Sequence, residues 1–293
     1  MKNILFIVNP IAGGGKAKSL ISLIESQMTK NNVDFKIIIT ERKRQATEIS
    51  EKNIENYQVI VAVGGDGTVN EVAKGMINKN RGVLGIIPGG TGNDLARGLG
   101  IPLKGQDAID IILKGNKKEI DIGKVNSYDF LNISSVGFDA EVVVNNERIK
   151  KKVKNHVSYA ISVVYTLFKF KDKTMKIEID GEKWDEEILL LAVGNGRYYG
   201  GGMKILPQAQ VDDGCLDICI ISNISRLLLL YLFPTIFRGH HIKYKKYVKM
   251  HRAKSVKIIS EEDFLLNIDG EVIETRQADF SIGDKKLKVI VKE

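Results

Sequence analysis

The chain has 293 residues, of which 43% are apolar and 27% charged, with a formal net charge of +8 and a pI near 9.2. This length suits two domains of ordinary size, and the composition allows a core without disulfide or metal staples. The positive charge favours an anionic partner, either nucleic acid or an acidic membrane surface. Cys215 and Cys219 are expected to be free thiols in a reducing cytosol. No export signal or bilayer-spanning apolar run is visible.

The first part of the chain alternates short apolar strands with helical patterns. Strands are predicted at 4–8, 35–39, 59–63 and 83–87, and helices at 19–28, 45–53, 68–77 and 92–99. Such alternation predicts an α/β layer architecture with a parallel sheet. In sheets of this kind, ligands bind at the carboxyl ends of the strands.

The pattern changes near Asp121-Ile122-Gly123, after which strands dominate. They are predicted at 129–134, 175–179, 188–193, 214–221, 255–260, 264–268 and 287–291, with helical stretches at about 145–170 and 223–238. Asp-Gly turns between short strands indicate an antiparallel sandwich. The predicted fold is therefore α/β plus β. A three-layer α/β nucleotide-binding domain spans 1–124, a β-sandwich with helical insertions spans 125–284, and the tail at about 285–293 returns to the first domain.

Two glycine loops follow predicted strands, Gly64-Gly65-Asp66-Gly67-Thr68 and Pro88-Gly89-Gly90-Thr91-Gly92-Asn93-Asp94. Glycine lets backbone amides approach a phosphate, and a carboxylate in such a loop repels phosphate unless a cation lies between them. The two loops together predict a site for a nucleoside triphosphate with Mg²⁺. The P-loop frame, the dinucleotide-binding G-x-G-x-x-G and the protein-kinase motifs are all absent.

Six elements in order resemble the diacylglycerol kinase catalytic family, which includes sphingosine kinases and bacterial soluble lipid kinases. They are Asn9-Pro10-x-x-Gly13, the two glycine loops, Asp121-Ile122-Gly123, Asp212-Asp213-Gly214 and Asp269-Gly270-Glu271, and they cover essentially the whole chain. The resemblance implies an ATP- and Mg²⁺-dependent kinase that phosphorylates diacylglycerol or a similar lipid alcohol in membrane phospholipid metabolism. It also implies an active site in the cleft between the two domains.

Two other functions stay open from the sequence. An NAD kinase-like phosphotransferase shares Gly-Gly-Asp-Gly, but the second glycine loop and the apolar run at 224–237 argue against it. A catalytically silent lipid- or nucleotide-binding protein is disfavoured by the intact Asp66, Asp94, Asp269 and Glu271.

The predicted nucleotide site combines the first glycine loop with the N-terminal motif and two threonines implied by the resemblance. Its members are Asn9, Pro10, Ile11, Ala12, Gly13, Thr40, Gly65, Asp66, Gly67, Thr68, Val69, Asn70, Glu71 and Thr91. Backbone amides at the start of the helix after the loop suit a phosphate. For Glu71, the alternative is an acid that merely stabilises a first helical turn.

Three aspartates, Asp66, Asp94 and Asp121, follow predicted sheet segments. We expect them to converge on one Mg²⁺, partly through waters, because Mg²⁺ keeps much of its hydration shell. The resemblance supports this network. It also implies a structural Mg²⁺ held by the Asp213 carboxylate and the carbonyls of Gln210 and Cys215, for which a plain turn without metal is the alternative.

The catalytic base is expected to be a carboxylate. An Asp-Gly pair alone usually marks only a hairpin turn, but the resemblance makes Asp269-Gly270-Glu271 functional. Glu271 is assigned as the proton acceptor, and Asp269 as the residue that assists or orients it.

The most hydrophobic run is 224–237, and a lysine-rich stretch at 243–254 follows it. This pattern predicts shallow insertion at an anionic interface, with a helix buried against the sandwich as the alternative. We therefore expect a cytoplasmic protein that associates peripherally with the inner face of the membrane. No nucleic-acid partner is expected, and a homodimer is compatible with the sequence. The glycine-rich stretch 195–202 is expected to be a flexible loop near the cleft.

Overall fold

A computed structural model describes residues 3–150 and 157–292. The strands are β1 (Asn3–Val8), β2 (Asp34–Ile39), β3 (Val59–Gly64), β4 (Val83–Pro88), β5 (Lys117–Val125), β6 (Tyr128–Phe130), β7 (Ile133–Gly137), β8 (Lys173–Ile179), β9 (Glu182–Gly194), β10 (Leu216–Ser222), β11 (Val248–Ala253), β12 (Ser255–Ile268) and β13 (Glu271–Ile290). The helices are α1 (Lys16–Ser19), α2 (Ile21–Lys30), α3 (Gln45–Asn53), α4 (Asp66–Lys79), α5 (Asp94–Gly98), α6 (Gly105–Lys114), α7 (Phe138–Lys150), α8 (Val157–Lys169) and α9 (Arg226–Leu232). Short 3₁₀ helices lie at Ala12–Gly15, Phe233–Arg238 and His240–Lys243.

The chain divides into two compact units. The first contains residues 1–122, 200–202 and 283–293, and the second contains residues 123–199 and 203–282. The main boundary lies two residues before the predicted one. The last part of β13 belongs to the first unit, whereas the prediction placed only the tail from about 285 there.

Parallel strands form the sheet of the first unit. β1 lies between β2 and β3, β4 lies beside β3, and the end of β13 pairs with β4 in the same direction. Every residue of β3 and β4 is buried, as expected of strands that helices cover on both faces. Because the strands are parallel, β1, β3 and β4 all end at one edge of the sheet. The loops that follow them carry the predicted phosphate-binding residues.

Antiparallel strands form the second unit. Their order is β11-β10-β9-β7-β12-β13, and β8 pairs with both β9 and β12. One core contains side chains such as Phe130, Leu191 and Phe264, which pack between strands. A second core contains Phe138, Leu190 and Ile221 and includes side chains from α7, α8 and α9. The coarse prediction of an α/β half followed by a β-rich half with helical insertions is confirmed.

Several element boundaries differ from the prediction. The strand expected at 129–134 is two strands, β6 and β7, because the backbone N–H groups between them bind the Asp269 carboxylate instead of a neighbouring strand. The strands expected at 255–260 and 264–268 are one strand, β12, with a shift of register between them. The helical stretch expected at 145–170 is two helices, α7 and α8. The prediction also missed α6, β5 and β11.

Residues 195–202 do not form a single loop within the second unit. Tyr199 and Met203 exchange backbone hydrogen bonds of 3.1 and 3.0 Å, and the three glycines between them belong to the first unit. The contiguous domain predicted at 125–284 is therefore wrong at these positions. Their backbone amides bind a carboxylate, as described below.

No helix in residues 3–150 and 157–292 combines the length and the apolar character that a bilayer crossing requires.

Candidate active site

Three glycine-containing loops pack backbone against backbone at the carboxyl edge of the parallel sheet. The Gly89 amide donates to the Gly64 carbonyl at 2.7 Å. A Cβ on Gly90 would lie 2.3 Å from the Gly65 Cα, and one on Gly13 would lie 2.2 Å from the Gly89 carbonyl oxygen. No side chain fits at these positions, so glycine is required for the loops to meet. Gly13 also has a φ of +59°, which glycine adopts without strain.

Asn9 ties the first loop to the start of α4. Its side-chain amide donates to Thr68 Oγ1 at 3.1 Å, and its Oδ1 accepts from the Ile11 amide at 3.3 Å. Thr68 is buried in the first turn of α4, and the preceding Gly65 offers no side-chain cap. The first amides of a helix have no intrahelical acceptor, so this helix start can donate to a phosphate. Asn9, Gly65 and Thr68 are thus brought together as predicted.

The other residues that were predicted to bind the nucleotide differ in their exposure to solvent. Ile11 is 81% exposed and Thr91 is also exposed, whereas Val69 is buried in the core and can offer only its backbone. Thr40 is buried, and both its amide and its hydroxyl donate to the Val8 carbonyl, at 2.9 and 3.4 Å. Pro10, Ala12, Gly67 and Asn70 lie in the first loop or the first turn of α4.

Glu71 has a different role from the one predicted. Its two carboxylate oxygens accept from the backbone amides of Arg44 and Ala46, at 3.0 and 3.2 Å. Since α3 begins at Gln45, the Glu71 carboxylate caps the start of that helix. Neither the predicted contact with a nucleotide nor a role confined to its own helix describes this geometry.

Asp66 and Asp94 form a carboxylate pair beside the glycine loops. Asp66 Oδ1 accepts from the amides of Asp94 and Leu95, at 2.6 and 3.3 Å. A Cβ on Gly92 would lie 2.7 Å from Asp66 Oδ2 and 3.3 Å from Asp94 Oδ2, so both carboxylates border this glycine. Burial, and secondly the charge of Asp66, raise the pKa of Asp94 to about 6. A cation beside this pair would relieve that repulsion, and Mg²⁺ commonly uses one or two protein carboxylates together with phosphate oxygens.

Asp94 also explains why the glycines at 200–202 belong to the first unit. Its two oxygens accept from the amides of Gly201 and Gly202, at 2.8 and 2.7 Å. Both glycines have positive φ, which lets consecutive amides point at one carboxylate. This anchor was not predicted, and it shows that the stretch is held by the first unit.

Asp121 does not join the carboxylate pair. It is 1% exposed and forms an ion pair with Lys286 at 3.0 Å. Within residues 3–150 and 157–292, no three His, Cys, Asp or Glu side chains form a group that could hold a metal ion. The charge of Asp121 is balanced by this lysine, and its predicted participation with Asp66 and Asp94 in a Mg²⁺ network, partly through waters, stays a prediction. Asp66 and Asp94 remain the candidates for a Mg²⁺ ion that water and phosphate would complete.

Asp269 and Glu271 occupy a two-residue turn between β12 and β13. Asp269 and Gly270 both have positive φ, 48° and 96°, as this kind of tight hairpin requires. The Asp269 carboxylate accepts from three successive backbone amides, 131 to 133, at 2.7, 3.1 and 2.9 Å. Glu271 is exposed at the start of β13, opposite Ile268. Asp269 thus fixes the turn that carries Glu271, and the Glu271 side chain is exposed.

One predicted ligand of the structural metal site, Asp213, binds an arginine. Asp213 Oδ1 accepts from the Cys215 amide at 3.1 Å, and Oδ2 binds the Arg252 guanidinium. Burial raises the pKa of the neighbouring Asp217 to about 6, which Arg252 counteracts and Asp213 increases. Arg252 therefore places a positive charge beside Asp213, and the structural Mg²⁺ stays a prediction. Gln210 is exposed and Cys215 is half-buried.

We expect Arg252→Gln to make the second unit sensitive to Mg²⁺. Loss of the guanidinium leaves Asp213 without its cation and Asp217 with Arg197 alone. This should lower the free energy of unfolding by about 1 kcal/mol, because Arg252 is half-exposed. Added Mg²⁺ should restore part of this loss, whereas the unmodified chain should unfold alike in Mg²⁺ and in a chelator. Denaturation followed by the fluorescence of Trp184, the single tryptophan, measures both.

Arg276→Gln is the matched control for this experiment. It breaks the exposed ion pair between Arg276 and Asp263. Arg276 forms hydrogen bonds with this one carboxylate, whereas Arg252 lies near two. Little loss of stability and no response to Mg²⁺ are expected. A response to Mg²⁺ in the unmodified chain would contradict the arginine assignment.

A buried polar network and an apolar cavity in the second unit were missed by the sequence analysis. Ser135, Asp139 and Asn267 are hydrogen-bonded to one another beneath β7 and β12. Asp139 also borders a cavity lined by apolar side chains such as Phe138, Leu189, Ile221 and Leu229. The only sequence signal was an aspartate inside an otherwise apolar run at 136–140, which is too weak to interpret alone.

Comparison with known proteins agrees with this division of the chain. Residues 3–125 match the diacylglycerol kinase catalytic domain, and residues 132–291 match the YegS C-terminal NAD kinase beta sandwich-like domain. A diacylglycerol kinase of Staphylococcus saprophyticus is 34% identical over 272 residues, which cover 92% of this chain and 89% of that protein. A diacylglycerol kinase of Staphylococcus carnosus is 33% identical over the same shares of the two chains.

A solved structure is also similar over nearly its whole length. The crystal structure of a diacylglycerol kinase from Bacillus anthracis superimposes with a TM-score of 0.76 at 26% identity, covering 99% of this chain and 97% of that one. The resemblance inferred from the six sequence elements is confirmed by these matches.

Proposed function

This chain belongs to the diacylglycerol kinase family, and we propose that it transfers the γ-phosphoryl group of ATP to the hydroxyl of diacylglycerol or a similar lipid alcohol. The observation that carries the lipid part of this proposal is the apolar cavity of the second unit. The space inside it that the centres of water-sized spheres can occupy is about 50 Å³, and eleven of its twelve lining residues are apolar or aromatic. A lining of this kind suits part of an alkyl chain.

The phosphoryl donor is proposed to bind at the glycine loops of the first unit. The amides at Gly65, Asp66 and Gly67 and the Asn9–Gly13 loop would hold the phosphates of ATP, while the Thr68 amide donates to the Gly65 carbonyl. Asp66 and Asp94 would hold Mg²⁺, which supplies charge neutralisation for the phosphates. The close contacts between glycines leave no room for side chains, so the backbone of these loops would orient ATP.

Glu271 is proposed to accept the proton of the lipid hydroxyl as the oxygen attacks the γ-phosphorus. Its carboxylate is exposed, and the turn beneath it is fixed by the three amides bound to Asp269. A fixed turn limits the positions that the carboxylate can adopt, which favours proton transfer. We do not propose Asp269 as the proton acceptor, because backbone amides already donate hydrogen bonds to both of its oxygens.

NAD kinase-like activity is the second candidate, since the second-half match carries that name in its description. A dinucleotide acceptor is highly polar and charged. The apolar cavity gives it no partner, whereas a lipid alcohol buries its chain there. The cavity therefore favours the lipid acceptor.

We also propose that the outward face of α9 contacts an anionic membrane. Leu227 is 76% and Tyr231 79% exposed, while Leu229 on the same helix lines the cavity. The neighbouring Arg238 and Lys243 are exposed as well. Apolar side chains beside basic ones suit shallow insertion among anionic lipids. One side of this helix is exposed, and Leu232 on the other side is buried, so the predicted burial holds for one side only. Insertion of the exposed side into a membrane stays a proposal.

Leu227→Ser should reduce binding to vesicles that contain anionic lipid by about tenfold, because it removes one apolar side chain from the inserted face. Co-sedimentation of the protein with vesicles measures this binding. Tyr128→Ser is the matched control, as Tyr128 is also exposed but lies on β6, away from this helix in the fold. Equal losses in both variants would contradict insertion through α9.

A labelled-ATP assay tests the proposed reaction. The protein is incubated with Mg²⁺ and vesicles that contain diacylglycerol, a monoacylglycerol, sphingosine or a polyprenol, and label is measured in the extracted lipid. Mg²⁺-dependent label in at least one lipid is expected. Label in none of them would refute the lipid kinase activity. Label in NAD, in a parallel incubation with NAD in place of vesicles, would then favour the second candidate.

A further inference from the structure

The cavity of the second unit contains a single charged group. The carboxyl of Asp139 borders it, while the other lining residues, such as Phe138, Leu190 and Phe233, are apolar or aromatic. Asp139 is 8% exposed. Charged side chains are rarely buried without a partner, so its presence in an apolar wall needs an explanation.

The fold forces Asp139 into this position. β7 ends at Gly137, whose φ is +107° and where a Cβ would lie 2.4 Å from the Leu189 carbonyl oxygen. The chain therefore turns sharply against β9 and enters α7, placing Asp139 in the first turn of that helix. Neither a different backbone path nor a side chain at Gly137 is available at this corner.

Side-chain donors reach only one oxygen of the Asp139 carboxyl. Oδ2 accepts from the Ser135 hydroxyl and from the Asn267 side-chain amide, the latter at 3.4 Å. Oδ1 is buried and has no hydrogen-bond partner among the residues that the structure describes. The same Asn267 accepts from the Gly270 amide at 2.9 Å, in the turn that precedes Glu271.

An unpaired buried carboxylate oxygen destabilises the protein unless a ligand or water pairs with it. Burial raises the pKa of Asp139 to about 6, so the carboxyl is still mostly ionised at neutral pH and Oδ1 is an acceptor. Among lipids, the matching group is a hydroxyl on an alkyl chain. An ester or an ether offers only acceptors and would leave Oδ1 unpaired.

We propose that Asp139 is the polar recognition group of the lipid cavity: in the complex without ATP, its Oδ1 accepts a hydrogen bond from the free hydroxyl of the bound lipid alcohol while the apolar wall contacts the chain. The single proton of that hydroxyl turns from Oδ1 to Glu271 before phosphoryl transfer. This assignment rests on the proposed lipid acceptor and names the residue that selects it. Because Asn267 contacts both Asp139 and the turn before Glu271, the recognition group and the proposed base share one rigid support.

The test compares binding of two probes, a short-chain diacylglycerol and the same lipid with its hydroxyl capped as a methyl ether. Each displaces a fluorescent lipid from the full chain in detergent, without ATP. The unmodified protein should prefer the hydroxyl probe about tenfold or more, the scale of a hydrogen bond to a charged group. In Asp139→Asn, the amide oxygen should stay with Ser135 and Asn267. Its NH₂ then replaces Oδ1 as a donor, and the preference should vanish because an ether oxygen can accept.

Three variants separate recognition from structure and from catalysis. Ser135→Ala removes a partner of Oδ2 only and should keep the preference. Glu271→Gln should keep it too, so a failure of the kinase assay and a failure of lipid recognition are distinguishable. Leu229→Trp fills the cavity from α9 and should weaken both probes alike.

Equal binding of the two probes by the unmodified protein would overturn the assignment and indicate that Oδ1 pairs with water alone. An undiminished preference in Asp139→Asn would overturn it as well. Thermal unfolding of each variant is measured in parallel. If Asp139→Asn fails to fold, the comparison of probes on the unmodified protein and the effect of Leu229→Trp still decide the question.

Discussion

Replacement of Glu271 by Gln is expected to lower kcat for lipid phosphorylation by about a hundredfold or more, with little change in the affinity for ATP. Glutamine has nearly the same shape but cannot accept the proton that the lipid hydroxyl loses. Glu271 is not part of the glycine loops that are proposed to bind the phosphates, so ATP binding should persist. Initial rates with diacylglycerol vesicles, and a direct measurement of ATP binding, separate the two effects.

Glu274→Gln is the matched control, since it makes the same change of charge three residues further along β13 at another exposed position. Its rate should stay close to that of the unmodified enzyme. If Glu271→Gln turns over normally, the proton is accepted elsewhere. If both variants lose the same activity, the negative charge of the strand matters rather than one base.

The parts of the fold that follow from local patterns were accessible to the sequence. Continuous apolar runs such as 59–63 can only be buried strands, and a run that ends in Gly64-Gly65 must turn at the sheet edge. The loops after β1, β3 and β4 could be placed together for this reason. The contact of Gly13 with Gly89 explains why glycine recurs in two of them.

The parts that depend on distant partners were not accessible. Asp94 binds amides 107 and 108 residues away, and this contact assigns the glycine stretch to the first unit. Arg252 pairs with Asp213 across 39 residues. Asp139 and Asn267 lie 128 residues apart. Local patterns carry no information about such pairs, because each side chain alone is typical of a turn or a helix start.

Asp269→Asn should be the most destabilising of the substitutions considered, with a loss of about 3 kcal/mol in the free energy of unfolding of the second unit. Three amides, at buried residues 131 to 133, bind the carboxylate, and an asparagine must turn its NH₂ toward at least one of them. Asparagine tolerates positive φ, so the backbone of the turn is not itself strained. Denaturation followed by Trp184 fluorescence reports on this unit.

Asp180→Asn provides the comparison that isolates burial. Asp180 also precedes a glycine, also has positive φ, and also accepts from two successive amides, those of Lys254 and Ser255. It is exposed, however, so water can replace the lost acceptor and the expected loss is about 1 kcal/mol or less. Equal losses at the two turns would show that the buried amides are not what makes Asp269 important. A larger loss at Asp269, with a fall in kcat at temperatures where the variant is folded, would show that the same carboxylate that stabilises the turn also positions Glu271.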